Sequence, residues 1–331
     1  MDAVAQPSAL WWSVLNTWQR DLPLVDKPFE TMAQHHGCSE QALLAALQYA
    51  LEAGKLARVG GIIAPNTVGC STLAAMALPA EEVEAAAAYI NQFEGVNHNY
   101  GREHPYNLWF VVNAPDRVQL NSLLTHIENK FHTPVLDLPL QAEYHVDLGF
   151  CLANGKKAQH RAAPQLAENL SVQQRQLLAI LGRGLPLVSA PFAQVAAELG
   201  WTPEQVLQQL QTWQASGLLR RIGLIVRHRR LGYQANAMCV WQVPLAQRDA
   251  IGLRMAQQPH VHLCYARPAR GSAWPYNLFA MVHGQQREHV LAHIQSLNEA
   301  LGLQSIPHAV LFSSQCFKQS GATYQEVKHA H

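Results

Sequence analysis

Two short segments of this chain hold, in the same order, residue types suited to binding a ligand. The first runs Tyr100-Gly-Arg-Glu-His-Pro-Tyr-Asn-Leu-Trp-Phe-Val-Val112. The second runs Tyr265-Ala-Arg267, a short loop, then Pro275-Tyr-Asn-Leu-Phe-Ala-Met-Val282. The Tyr-x-Arg triplets lie 165 positions apart (100 to 265, 102 to 267), the Pro-Tyr-Asn-Leu quartets 170 apart (105 to 275), so the second loop is five residues longer. Each copy reads as an apolar strand, a polar turn holding Tyr, Arg and Pro, and a strand running back. A hairpin with an aromatic, charged mouth above a buried sheet is a place to hold a ligand. Pro-Tyr-Asn alone is ordinary turn chemistry, which leaves the repeated arginine unexplained. A second concentration of charge lies in another repeated segment. Leu219-Arg-Arg-Ile-Gly-Leu-Ile-Val matches Leu56-Ala-Arg-Val-Gly-Gly-Ile-Ile at an offset of 163, as Gly232 matches Gly69 (69 to 232). Here Arg58 stands alone in the first copy, against Arg220, Arg221, Arg227, His228, Arg229 and Arg230 in the second.

The elements that must carry these residues repeat as well. Residues 1–69 read as three helices and a short ribbon, a winged helix-turn-helix: Ser39 caps a helix over Glu40–Ala53, Gly54 closes it, and Leu56–Ile63 reads as the wing strands. Residues 70–152 read as β-α-β-β-α-β, a ferredoxin-like order. Its strands are expected at 71–78, 96–101, 106–112 and 144–150, its helices after Pro79 and over 115–131. Residues 153–168 are polar, Ala-rich and Pro-containing, and read as a linker. Residues 169–233 repeat the winged helix-turn-helix, with Thr202-Pro-Glu-Gln205 as a cap. Residues 234–317 repeat the ferredoxin-like domain, and 318–331 read as a loose tail. The expected fold is therefore α+β, one two-domain unit duplicated in tandem, with the ferredoxin-like sheets of the two halves paired.

Composition narrows the function classes. With 331 residues, 49% hydrophobic and 14% charged, the chain is globular and long enough for several cores. A formal net charge of +1 provides no global field toward nucleic acid or an anionic membrane. No apolar run approaches the roughly 18 residues of a bilayer span, and the N-terminus lacks the basic start and apolar core of a secretory signal. The six cysteines are scattered without a Cys-x-x-Cys, as expected of reduced thiols in a cytoplasmic protein. No Gly-rich phosphate loop is present, so nothing points to a nucleotide or flavin, nor to pyridoxal phosphate or a protein-bound metal.

A winged helix followed by a ferredoxin-like domain is the plan of the Lrp/AsnC transcription regulators, so DNA binding is the first reading to weigh. A reading helix needs Lys or Arg for phosphates. Neither candidate helix, Glu40–Ala53 or Pro203–Ser216, holds one; the second offers only glutamines, among them Gln205, Gln208 and Gln209. The positive charge lies in the second wing instead. The unequal halves also suit a composite pocket better than a palindromic DNA site.

Together, the paired hairpins, the Arg-Arg-Ile-Gly-x-x-x-x-His wing and the Lrp-like plan without basic reading helices resemble the siroheme decarboxylases. The first half (Arg58-Val-Gly-Gly-Ile-Ile-Ala-Pro-Asn-Thr-Val-Gly, then Val96-Asn-His-Asn-Tyr-Gly-Arg102) is similar to one subunit and the second half to its partner, so the chain resembles the fused form acting in heme d1 biosynthesis. The pattern departs at Val261-His-Leu-Cys-Tyr265, where Leu263 stands opposite His98 and His262 lies one residue away.

The resemblance implies a carboxy-lyase that removes carbon dioxide, without oxidation, from two acetate side chains of siroheme to give didecarboxysiroheme. A polyanionic substrate calls for fixed cations, preferably the bidentate fork of arginine: Arg58, Arg102, Arg220, Arg221, Arg267 and Arg270, with Tyr106, Tyr276 and Trp274 beside them. The carbanion-like carbon left by carbon dioxide calls for an acid, which suits histidine. His98, His104 and His228 are the candidates, with Tyr100 and Tyr265 as carboxylate donors or packing groups. One histidine as ligand of the substrate iron stays open. No cofactor beyond the iron tetrapyrrole is expected, and neither specific DNA nor a membrane. The halves form a pseudo-dimer, with room for a further homodimer and for other proteins of heme d1 biosynthesis. A DNA-binding regulator and a tetrapyrrole sensor without turnover are the competing readings.

Overall fold

The structure is a computed structural model that describes residues 7–146, 170–233 and 235–321. In chain order the first half runs α1 (Pro7–Thr17), α2 (Pro28–His35), α3 (Glu40–Glu52), β1 (Leu56–Ile63), β2 (Cys70–Met76), α4 (Val83–Ile90), β3 (Val96–Arg102), β4 (Leu108–Ala114), α5 (Arg117–Phe131), β5 (Leu136–Pro139) and β6 (Ala142–Val146). The second half runs α6 (Val172–Arg183), α7 (Pro191–Leu199), α8 (Pro203–Ala215), β7 (Leu219–Val226), β8 (Ala235–Trp241), α9 (Leu245–Ala256), β9 (Val261–Ala266), β10 (Leu278–Gly284), α10 (Arg287–Leu301) and β11 (His308–Gln319). The described residues divide into two compact units, one drawn from 1–68 and 149–231, the other from 69–148 and 232–331.

The first unit gathers both helix-turn-helix copies. Local chemistry starts and stops its helices: Ser39 Oγ accepts from the Ala42 N–H, Gly54 takes φ 66° after α3, and Ser171/Gln174 and Thr202/Gln205 form complete capping boxes at α6 and α8. Leu43, Ala46, Leu47 and Ala50 bury one stripe of α3; Val206, Leu210 and Trp213 do so on α8. The wing differs from expectation. β1 is one continuous strand that does not fold back on itself, and it pairs antiparallel with β7 of the other copy from Leu56↔Val226 to Ile63↔Leu219. A strand rich in Ile, Val and Gly finds its backbone partner in its own repeat, which removes an exposed edge from each copy.

The second unit is built on a nine-stranded sheet of order β5-β2-β4-β3-β11-β8-β10-β9-β6. Each half supplies the expected ferredoxin-like order, but the fourth strand of the first set is β5, paired to β2, and not the predicted 144–150. β6 follows across Leu140 and Gln141 and pairs with β9 of the other half. β11 makes the reciprocal exchange within one strand: His308–Phe312 pair with β8, and Ser313–Gln319 continue onto β3. β11 therefore includes Lys318 and Gln319, expected in the tail, and Lys318 Nζ donates to the carbonyls of Asn91 and Phe93 past the end of α4. Tyr144 seats β6. Its ring fills the space over Gly252, where a Cβ would come within 2.4 Å of it, and its hydroxyl donates to Asp249 Oδ1 at 2.5 Å. Residues 147–150 of the expected strand, the expected linker 153–168 and residues 322–331 of the tail lie outside the described residues.

Three cores follow. One lies between the first-half sheet and α4 and α5 around Phe110 and Ile127; one lies between the second-half sheet and α9 and α10 around Trp241 and Ile294. The third joins the halves, bringing Leu73, Trp109, Leu138, Met238, Tyr265, Trp274, Phe279 and Leu311 together.

Candidate functional site

The repeated motif turns out to be strand as much as turn. Tyr100 and Arg102 lie in β3 and Tyr265 in β9. Alternation along β3 sets His98, Tyr100 and Arg102 at every second position. The His98 and Tyr100 rings are 6.2 Å apart, and the Arg102 guanidinium lies 5.9 Å from the Tyr100 ring. Arg102 is 9% exposed and its Nη1 donates to the Leu311 carbonyl at 3.0 Å. In the second copy the Arg267 guanidinium lies 4.7 Å from the ring of buried Tyr265, and its Nη1 donates to the Leu138 carbonyl. Leu138 pairs with Leu73 as Leu311 pairs with Met238, so the two acceptors are the same site in the two halves. The duplicated arginine is thus a cross-brace, each half gripping the last core strand of the other. Burial pushes the Arg267 guanidinium below its ordinary range.

The asparagine of Pro-Tyr-Asn-Leu also has a repeated task. Asn107 accepts from the Leu78 N–H at 3.1 Å and donates to the Leu78 carbonyl at 2.7 Å; Asn277 makes the same pair with Val243 at 3.0 and 2.7 Å. Each hairpin is thereby pinned to the loop after the first strand of its own domain.

Between the hairpins stands Trp274, fully buried. Its ring meets those of His104 at 5.6 Å, Tyr106 at 5.8 Å, Trp109 at 5.1 Å and Tyr276 at 5.0 Å. Expected beside the substrate-binding arginines, Trp274 stands in the core where the two hairpins meet. His104 is half-buried in this cluster, and its Nδ1 accepts from the Tyr106 N–H at 3.1 Å. An Nδ1 that accepts carries no proton, so the neutral ring bears its hydrogen on Nε2. Burial lowers the His104 pKa in the same sense.

Each hairpin is also held by charges that the repeat did not mark. Arg287, at the start of α10, pairs with Glu103 at 2.7 Å and lies 3.9 Å over Phe312. Arg270 donates from Nε and Nη2 to the Asp137 carbonyl at 2.8 and 2.5 Å, while the Asp137 carboxylate accepts from Thr72 at 2.6 Å and from Arg117 at the start of α5. Arg117 and Arg287 are themselves 170 positions apart, the one signal by which sequence alone pairs them.

Arg58, Arg220 and Arg221 belong to the other unit. Arg221 is 7% exposed and its Nη1 donates to the Gln19 carbonyl at 2.6 Å; burial, then the charges of Arg20 and Arg58, push its guanidinium down to about 9, so it stays charged at neutral pH. Arg20 was not among the expected site residues. Arg220 is half-buried, and the side chain of His228 lies outside the described ones. Among the described residues no group of three or more His, Cys, Asp or Glu is placed to hold a metal, and no helix is long and apolar enough to cross a membrane.

Comparison with known proteins adds the family. An AsnC-like ligand binding domain matches residues 67–145 and 230–318, and a siroheme decarboxylase NirDL-like HTH domain matches 13–56 and 174–220. These define a class: tandem helix-turn-helix and AsnC-like ligand-binding proteins. The siroheme decarboxylase NirDL subunit of Paracoccus denitrificans is 39% identical over 317 residues, 95% of this chain and 97% of that one. The siroheme decarboxylase NirL subunit of Stutzerimonas stutzeri is 49% identical over 153 residues, 46% of this chain and 90% of its own. A crystal structure of the siroheme decarboxylase NirDL in co-complex with an iron-uroporphyrin III analogue aligns with a TM-score of 0.69 at 26% identity, covering 96% of this chain and 94% of that one. The chain belongs to the siroheme decarboxylase NirDL family.

Proposed function

We propose that this chain is a carboxy-lyase that decarboxylates siroheme, removing carbon dioxide without oxidation from two acetate side chains to give didecarboxysiroheme in heme d1 biosynthesis. Its membership of the family along both halves carries the reading. At each acetate the bond from methylene to carboxylate breaks, carbon dioxide leaves, and the electron pair stays on the methylene carbon, spread into the conjugated ring. One proton then adds to that carbon and a methyl group remains. Arginines hold the carboxylates in register. His98 and Tyr100, neighbours along β3, supply the proton and its relay. His104, with Nδ1 engaged by a backbone N–H, serves as a neutral Nε2–H donor to a carboxylate. The iron and the macrocycle belong to the substrate, and no resident cofactor is required.

Anaerobic incubation with siroheme followed by mass spectrometry tests this. Full turnover removes about 88 mass units, two carbon dioxide molecules, because each proton added at carbon balances the one lost from the carboxylic acid, with the single-loss intermediate appearing first. Siroheme that binds and returns unchanged in mass makes the chain a tetrapyrrole carrier or sensor and sinks the proposal.

A further inference from the structure

We propose that His262 and His283 form a second proton-donor site, which serves one of the two acetate side chains while His98 serves the other. The assignment rests on the decarboxylase reading. All of these residues lie in the unit built on the nine-stranded sheet.

β3 and β9 carry the same β-bulge. Against β4, Val96 pairs with Val112 and His98 with Val111; against β10, Val261 pairs with Val282 and Leu263 with Met281. The extra residue is Asn97 in the first half and His262 in the second, 165 positions apart. Its side chain meets Asn113 in one case and His283 in the other, 170 positions apart. Asn113 donates to Asn97 Oδ1 at 2.9 Å, and the two are sealed at 3% and 7% exposure. An amide pair does not titrate, and in that half the imidazole stands next along the strand, as His98. In the second half Leu263 takes the place of His98. The amides there become two histidines, their rings 4.9 Å apart and their Nδ1 atoms 3.2 Å apart. The acid has moved by one residue, and each half keeps one.

The geometry suits proton transfer. Bulges re-aim side chains beside active sites, and alternation from Phe279 and Met281 turns His283 to the face that holds Tyr265. Two facing Nδ1 atoms at 3.2 Å share one hydrogen, so one ring donates and the other accepts. When the donating ring is an imidazolium, the proton it can give is on Nε2. The bond from methylene to carboxylate breaks, carbon dioxide leaves, and the electron pair stays on the methylene carbon. The Nε2 proton adds there, and a neutral ring remains, still donating through Nδ1. Both histidines are partly exposed, unlike the asparagine pair, so water returns the proton. Asn236 faces His283 across β8, and its Oδ1 is buried with no hydrogen-bond partner among the described residues. Such an acceptor suits a proton-bearing group beside the pair.

The experiment follows siroheme and its single-loss and double-loss products by mass spectrometry under anaerobic single turnover, with siroheme binding measured alongside. It compares the full chain with the double variant His262→Asn/His283→Asn, which rebuilds the first half's own pair. The double variant is expected to bind siroheme and to slow one loss by roughly 10²–10⁴-fold, so that the single-loss product accumulates. His283→Gln, which keeps a hydrogen-bonding side chain at the bulge, is expected to stall at the same point and carries the test if the double variant does not fold. Adding Leu263→His to the double variant copies the first half and is expected to restore the missing loss. Double-loss product at the wild-type rate overturns the site, as do two losses slowed alike. Binding lost with the rate per bound siroheme kept also overturns it, as does a stall that Leu263→His leaves in place. A wild-type chain that returns siroheme intact removes the decarboxylase reading itself, and is told apart by needing no variant.

Discussion

His98 and His104 lie six residues apart in sequence, and the fold gives them different chemistry. His98 stands on β3 beside Tyr100, the two rings 6.2 Å apart. Replacing it by alanine is expected to leave siroheme binding in place and cut turnover by roughly 10²–10⁴-fold. If binding is lost while the rate per bound siroheme survives, His98 is an anchor or an iron ligand. His104 is held neutral by the Tyr106 N–H and by burial. Its folded pKa lies below 6.5, so the stability it contributes is complete above that value and is lost as pH falls through the folded pKa. The urea midpoint of His104→Gln is therefore expected to fall short of the wild type at pH 7.5 and to approach it toward pH 5. A gap that widens in acid would mean that the fold prefers the imidazolium.

At the scale of elements, the hairpins owe their position to the opposite half. Arg102 reaches Leu311 on β11, Arg267 reaches Leu138 on β5, and Trp274 joins both mouths. Arg102→Met strips the Leu311 carbonyl of its donor, and an unsatisfied buried carbonyl costs about 1–3 kcal/mol. Chemical denaturation of the ligand-free variant is expected to show a loss of that size, with Arg102→Lys recovering part of it. No change in stability would leave Arg102 to substrate alone. β6 shows the same dependence on a partner: its Tyr144 fits the second half only because position 252 is glycine.

The whole molecule is a tandem repeat whose halves have exchanged strands, with the reading helices of its ancestor-like plan put to other uses. At the start of α3, Glu40 accepts from Ser189 of the second half at 3.0 Å. On α8, Gln205 is spent in the capping box and Gln209 accepts from Gln174 at 2.9 Å. Neither helix has a Lys or Arg to neutralise phosphate. Fluorescence polarisation with labelled duplexes at physiological salt is expected to detect no sequence-specific binding. Tight binding with a steep salt slope would restore the DNA reading.

Sequence alone determined what local rules write into residues. The duplication stands in the repeated motifs, the helix limits in Ser39, Ser171 and Thr202, and the ferredoxin-like order in strands and helices of the right period. The absence of basic residues from the reading helices was equally plain. Tertiary structure alone decided which edge each strand joins, because ladder hydrogen bonds come from the backbone that every residue shares. β1 thus found β7 where a wing hairpin was expected, and β6 left its own half for β9. The repeated arginines have the same explanation: their acceptors are the carbonyls of Leu138 and Leu311, atoms with no signature in sequence. Trp274 lies in the loop of the second hairpin, and the meeting of two hairpins buries it. Arg20 carries no mark in the sequence, because its charge bears on Arg221 only once the fold brings positions 20 and 221 together.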